Sequence, residues 1–149
     1  MTMLSTLLPA LITSFVATLG FGVLLHAPKR ALLHAALIGA AGYGCAFALQ
    51  EAGLSGQAAL FAGALGASLL AEWAARRMKM AATVFITLSI IPLVPGLALY
   101  RAMAFMAQGA TDAGLETGVE AMMHILMIAL GVGMGSFLFR LKKPHSKKS

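Results

Sequence analysis

The stretch from Met3 to Leu25, MLSTLLPALITSFVATLGFGVLL, spans 23 residues without a single charged side chain. A helix of about 20 mainly apolar residues is long enough to cross the hydrocarbon core of a bilayer. We therefore predict that this stretch is a transmembrane helix, and that the chain is an integral membrane protein.

The rest of the chain repeats this pattern. Hydrophobic residues make up 60% of the 149 residues and charged residues only 11%, against about a quarter charged in soluble domains. A soluble domain of this size could not hide so much apolar surface. Four further apolar stretches follow the first, at residues 31–49, 57–75, 80–100 and 118–139. The sequence predicts an all-α membrane domain of five transmembrane helices over residues 1–139, followed by a basic tail at 140–149.

The charged residues predict the orientation of this domain. Ten of the eleven basic residues lie in the connections 26–30 and 76–79 and in the tail, and Arg101 alone lies in an alternate connection. Because short cytoplasmic loops collect Lys and Arg, we predict an external amino terminus and a cytoplasmic carboxy terminus. We expect the tail to meet anionic lipid headgroups. The net charge of +6 does not indicate nucleic-acid binding, because no soluble domain presents a basic face.

The fourth stretch contains Ile90-Ile91-Pro92-Leu93-Val94-Pro95-Gly96 near or just beyond its middle. Each proline removes an amide donor and clashes with the carbonyl four residues earlier. We therefore predict that this Pro-x-x-Pro-Gly segment breaks the helix. Broken helices commonly form transporter binding sites, where the ends of half-helices offer partial charges to substrate or ion. A simple proline kink remains the alternative interpretation.

Six residues at and around this break are candidate substrate-binding residues: Ser89, Pro92, Pro95, Gly96, Tyr100 and Arg101. The hydroxyl of Ser89 either replaces a backbone hydrogen bond lost at the break or contacts substrate. Arg101 either anchors the helix at the interface or binds a carboxylate with two parallel hydrogen bonds.

Ionisable residues within spans are a second class of candidates, because they are costly in a membrane. Glu72, Glu120 and His124 are the candidates for proton coupling. Glu72 lies four residues before Arg76, a spacing that also predicts an ion pair along one helix face. His124 lies four residues after Glu120, and it either carries protons or is a hydrogen-bonded packing residue.

Two further patterns concern packing and catalysis. Gly131 and Gly135 have the small-xxx-small spacing that allows close helix contact. The sequence contains no Gly-rich phosphate loop, no HExxH and no paired histidines at metal-ligand spacing. Cys45 is the only cysteine, so no intrachain disulfide can form. We predict a protein without catalytic activity, cofactor or metal.

Several segments of the chain resemble one known family. They are FGVLLHAPKR at 21–30, GAAGY at 39–43, ATVF at 82–85, IIPLVPG at 90–96 and YRAM at 100–103. Together they are similar to the smaller half of proteins of the threonine/serine exporter family, over about residues 20–135. Many members have Pro-Gly where this chain has Leu88-Ser89.

The resemblance implies a subunit of a secondary transporter that exports threonine and serine across the bacterial inner membrane. Related two-gene versions imply succinate as an alternative cargo. The expected partner is a larger, separately encoded subunit, related to this one as an inverted repeat, while a homo-oligomer could also complete a pathway. A non-transporting structural subunit and a channel-like homo-oligomer stay open as other interpretations.

Overall fold

The computed structural model describes residues 2–141, with side-chain environments from residue 7 onward. This part of the chain is helical throughout: α1 Thr2–Leu24, α2 Lys29–Glu51, α3 Gly56–Met78, α4 Ala82–Ile90, a 3₁₀ turn Ile91–Leu93, α5 Gly96–Ala107 and α6 Thr111–Leu141. Helices α1, α2, α3 and α6 are long and apolar enough to cross a membrane, and α4 and α5 form a pair bent by 52°. The predicted all-α membrane fold is confirmed, with five spans when the bent pair counts as one. The tail beyond residue 141 lies outside the described residues.

The connection predicted at residues 101–117 is wrong. Helix α5 continues to Ala107, α6 begins at Thr111, and only residues 108–110 connect them. The prediction followed from the ends of the apolar stretches at residues 100 and 118. The residues between them include Asp112 and Glu116, whose side chains lie on an exposed face of α6. The opposite face packs closely on α5, because a Cβ at Gly114 would lie only 3.1 Å from the carbonyl oxygen of Ala102.

Helix α3 is the centre of the bundle and packs against α2, α4 and α6. Its contact faces are rich in alanine, and Ala67 and Ala71 are fully buried together with Ala35 of α2 and Phe85 of α4. Small side chains let helix backbones approach closely, which is how helices associate in lipid. Helix α5, by contrast, packs almost entirely on α6.

Helices α3 and α6 run side by side in the same direction. Gly131 lies against Phe61 and Ala64, and Gly135 lies four residues further along, against Ser68. The hydroxyl of Ser68 also lies 3.1 Å from the carbonyl oxygen of Val132 and donates a hydrogen bond to it. The predicted packing role of Gly131 and Gly135 is confirmed.

Four helices end in the same type of turn, with one residue in the left-handed conformation. That residue is Gly53 after α2 and Gly109 after α5, but His26 after α1 and Lys79 after α3, with φ of 55° and 54°. After α1, the Ala27 amide donates to the Gly22 carbonyl at 2.9 Å, as in a Schellman motif. A residue with a Cβ pays about 1–2 kcal/mol for this conformation, so His26 and Lys79 stay there at a conformational cost.

Candidate functional site

The predicted break in the fourth span has a defined geometry. Helix α4 continues through Leu88 and Ser89 and ends at Ile90. The 3₁₀ turn follows, the Val94 amide donates to the Ile91 carbonyl at 3.3 Å, and Gly96 begins α5. The missing amides of Pro92 and Pro95 explain the interruption, since neither residue can continue the α-helical hydrogen bonds to the residue four positions earlier.

The start of α5 leaves backbone donors free. The Gly96 amide donates to the Val94 carbonyl at 2.8 Å, and the Leu99 amide donates to the Pro95 carbonyl at 3.1 Å. The amides of Leu97 and Ala98, between them, have no acceptor among the described residues. Free amides at a helix amino terminus carry partial positive charge and attract anionic groups.

The break lies level with the middle of α2. A Cβ at Gly39 would lie 3.3 Å from the Ser89 carbonyl oxygen, 3.4 Å from Pro92 Cγ and 2.8 Å from Thr18 Oγ1. Because Gly39 has no side chain, the α2 backbone can approach the break and Thr18 this closely. On the far side of the break, Leu93 packs with Ala64 of α3.

Sequence reasoning missed the contribution of α1 to this region. Thr18 is fully buried and Ser14 is 5% exposed, one turn apart on the face of α1 that packs inward. Each hydroxyl donates to its own helix, Thr18 to the Ser14 carbonyl and Ser14 to the Leu11 carbonyl. The i, i+4 spacing of two polar residues in a charge-free span was the available signal.

The six substrate-binding candidates do not all come together. Ser89 is fully buried, and its hydroxyl donates to the Ile86 carbonyl within its own helix. It therefore does not replace the bond that Pro92 cannot make to the Leu88 carbonyl. Tyr100 and Arg101 lie on α5 and are exposed, so no described part of the chain encloses them with the break.

Beside the break, an open apolar groove of about 490 Å³ separates it from α6. Its lining consists of aliphatic side chains and one glycine: Ile90, Val94, Ile125, Ile128, Ala129, Val132 and Gly133. No side chain of this groove could pair with a charged group. The polar groups at the break are therefore backbone groups and the hydroxyls on the other side.

The predicted ion pair of Glu72 with Arg76 is wrong. The nearest basic group to Glu72 is Arg140 of α6, with 4.0 Å between Glu72 Oε1 and Arg140 Nε, and Glu72 Oε1 accepts no hydrogen bond from the described residues. Arg76 instead stacks over the ring of Phe139, 4.3 Å from its centroid. The prediction considered one helix alone, whereas α6 runs parallel to α3 and brings its own basic residue to the buried carboxylate.

The three proton-coupling candidates lie at opposite ends of the α3–α6 pair. Glu72 lies beside Arg140, whereas His124 is 16 residues earlier on α6, about 24 Å along a helix. Glu120 is exposed, and His124 is half-buried against the α2–α3 turn, near Gly56. No ion pair joins Glu120 to His124 in the described part of the chain. These residues therefore do not form one continuous proton path within this chain.

Comparison with known proteins places this fold in a family. The sequence profile described as "Threonine/Serine exporter, ThrE" matches residues 10–138, which include the whole broken span. The chain belongs to the threonine/serine exporter family. The predicted resemblance is thus confirmed, and family membership points to transport rather than catalysis.

One curated relative is much longer than this chain. The probable threonine/serine exporter of Mycobacterium tuberculosis (strain ATCC 25618 / H37Rv) is 34% identical over 114 residues. The match covers 76% of this chain but only 22% of the relative, so the exporter-family chain spans about a fifth of that protein's length. No solved structure matches this chain.

Proposed function

We propose that this chain is one half of a secondary transporter that exports threonine and serine across the bacterial cytoplasmic membrane. The observation that carries the proposal is the break at Ile91–Pro95, level with the middle of α2 and inside the region matched by the exporter family. Irregular backbone at membrane depth is tolerated where it is buried in protein or lines a water-filled cavity.

The two half-helices would divide the charges of a zwitterion between them. The amides of Leu97 and Ala98 would receive the carboxylate, because they are unpaired at the positive end of α5. The carbonyl end of α4 would receive the ammonium group. The hydroxyl oxygens of Ser89 and Thr18 retain free lone pairs and would accept hydrogen bonds from the same group.

Residues further from the break would serve at the two membrane faces. Tyr100 and Arg101, exposed on α5, would line the outer mouth of the pathway. Glu72 would exchange protons on the cytoplasmic side, and Glu120 with His124 on the outer side. About 24 Å of α6 separates His124 from Arg140, which lies beside Glu72. The partner would therefore supply the proton-carrying groups between the two sides.

The partner is a larger subunit of the same family. The region of the M. tuberculosis relative that resembles this chain is 22% of that protein, so the activity of the whole relative involves much more protein than this chain contains. The exposed faces of α5, including Leu97 and Met103, offer apolar surface to such a subunit. A homo-oligomer is the alternative arrangement, and the basic tail would bind anionic lipids in either case.

The orientation has its own test. We expect the amino terminus outside and the carboxy terminus in the cytoplasm, since ten of the eleven basic residues then face the cytoplasm. In a Cys45→Ala background, a cysteine appended to the amino terminus should react with an impermeant thiol reagent in intact cells. One appended to the carboxy terminus should react only after permeabilisation. Labelling of both termini from one side would contradict the orientation and the inverted-repeat relation to the larger subunit.

The proposal predicts efflux that needs two subunits. Cells that lack endogenous exporters would be preloaded with threonine, serine and succinate, and would express this chain alone or with the larger subunit. We expect threonine and serine efflux only with both proteins. Efflux of succinate without threonine or serine would indicate a dicarboxylate exporter instead. Passive efflux from this chain alone would favour a channel-like homo-oligomer.

A further inference from the structure

A cavity of about 300 Å³ lies between the α1–α2 turn and α4, at the end of the bundle that carries the basic connections. His26, Pro28, Thr83 and Thr87 contribute to its lining, together with aliphatic side chains that include Leu88. Its volume is at the lower end of the range for small-molecule sites, about 300–1,000 Å³. The cavity therefore has room for a small amino acid and little more.

The polar groups of this cavity have no partners among the described residues. Five other described hydroxyls on the helices donate to a carbonyl three or four residues earlier, those of Thr13, Ser14, Thr18, Ser89 and Thr117. Thr83 and Thr87 make no such bond, and the His26 ring makes no hydrogen bond within this part of the chain. His26, Thr83 and Thr87 are all exposed at this open cavity, so three side-chain donors are available to a ligand there.

The backbone holds His26 at this position against its own preference. The equivalent turn residues after α2 and α5 are glycines, which adopt φ of 96° and 80° without a steric penalty. His26 adopts φ of 55° in the same role. Glycine would satisfy the turn better, so the turn itself gives no reason for an imidazole beside Thr83 and Thr87.

The surrounding charges favour an anionic group. Lys29 and Arg30 follow His26 in the same connection and are exposed. Thr83 and Thr87 lie one turn apart on α4, and Thr87 is one further turn from Ile91, where the break begins. A carboxylate held in this cavity would therefore contact α4, the helix that ends at the break.

We infer that this cavity is the cytoplasmic entrance subsite for cargo, in which His26, Thr83 and Thr87 bind the carboxylate of a small amino acid before it reaches the break. This inference rests on the proposed export function and adds a separate binding step to it. Anionic lipid phosphate could use the same donors, so the test must distinguish free carboxylate from headgroup.

The test measures protection of a cysteine placed at Val84, which lines the cavity but is not one of the three proposed donors. Inside-out vesicles would contain the larger subunit and this chain with Cys45→Ala and Val84→Cys, and an impermeant thiol reagent would be added outside. With L-threonine at about twice its dissociation constant, labelling should slow about threefold, because only the empty site reacts. L-Threoninol, which lacks the carboxylate, should give no protection. Leu33→Cys, at a similar depth of α2 but outside the cavity, should be labelled at the same rate throughout.

A second variant separates binding from folding. His26→Gly places the residue that the turn prefers at position 26, so melting temperature should stay equal or rise. In the Val84→Cys background it should nevertheless abolish protection by threonine. Retained protection in His26→Gly would overturn the assignment of the imidazole.

Export and binding can fail separately. Vesicles that accumulate threonine but show no protection of Val84→Cys would overturn the entrance subsite and leave the export function intact. Protection without accumulation would show that the cavity binds threonine but would contradict the export function, and with it the role of an entrance for cargo. Labelling that depends on the content of phosphatidylglycerol and not on threonine would assign the cavity to a lipid headgroup and overturn the inference.

Discussion

Gly131→Ala is expected to lower the free energy of unfolding by about 2–3 kcal/mol, in the upper range for overpacking a close contact. The new Cβ would lie 2.6 Å from the Phe61 carbonyl oxygen, 3.0 Å from Ala64 Cβ and 3.1 Å from the Leu65 amide nitrogen. All three atoms belong to the backbone or to a Cβ of α3 and cannot rotate away. The two helices must therefore separate along their whole contact. The measurement is the amount of folded protein that survives heating in detergent.

Gly133 provides the matched control, two residues further along α6. A Cβ there would have no atom within 4 Å outside its own helix. Alanine is a better helix former than glycine by about 1 kcal/mol, so Gly133→Ala should be as stable as the wild type or more stable. Both variants carry the same change in helix propensity, so the difference between their stabilities measures the effect of the contact with α3. Equal melting of the two would show that α3 and α6 do not pack as described.

Pro95→Ala is expected to reduce threonine efflux by at least about tenfold, equivalent to about 1.4 kcal/mol in the transport barrier, without reducing the amount of two-subunit complex. Alanine restores an amide that can donate to the Ile91 carbonyl, and it removes a residue that disfavours a continuous helix by about 3 kcal/mol. The free amides of Leu97 and Ala98 then gain acceptors within a straighter helix. Export would be compared with complex recovered from the same membranes.

Pro9→Ala is the control for the loss of a proline as such. Pro9 lies inside α1 and is exposed, so its replacement should leave both efflux and complex unchanged. Pro92→Ala tests the other proline of the break. If both break variants lose complex and efflux in proportion, the fourth span has a structural role and the non-transporting interpretation gains support. Normal efflux from both would show that the break is not needed for transport.

The sequence predicted the features that depend on local composition. The charge-free run from Met3 to Leu25 was sufficient for the first span, because apolar length alone decides whether a helix can cross a bilayer. The interruption at Pro92 and Pro95 was predictable for a similar reason, since proline lacks an amide wherever it occurs. Local chemistry thus accounts for the number of spans and for the position of the break.

Features that depend on contacts between helices were not predictable in this way. The proximity of Glu72 to Arg140 requires α6 to run parallel to α3. No local sequence pattern predicts that these two helices are neighbours. The residues between Arg101 and Thr117 carry polar side chains on one exposed face, and such a sequence is also typical of a loop. Only the close contact of Gly114 with α5 shows that these residues are helical and packed. Thr18 lies near the break only because Gly39 lets α1, α2 and α4 meet.

The most direct test of the half-exporter account is threonine counterflow in proteoliposomes. Vesicles loaded with unlabelled threonine would contain either this chain alone or this chain with the larger subunit, and uptake of labelled threonine would be followed. The account predicts transient accumulation of label only with both subunits, and its loss when Pro95→Ala replaces the wild-type chain. Equal counterflow from this chain alone, or none from a complex whose two subunits are both present, would contradict it.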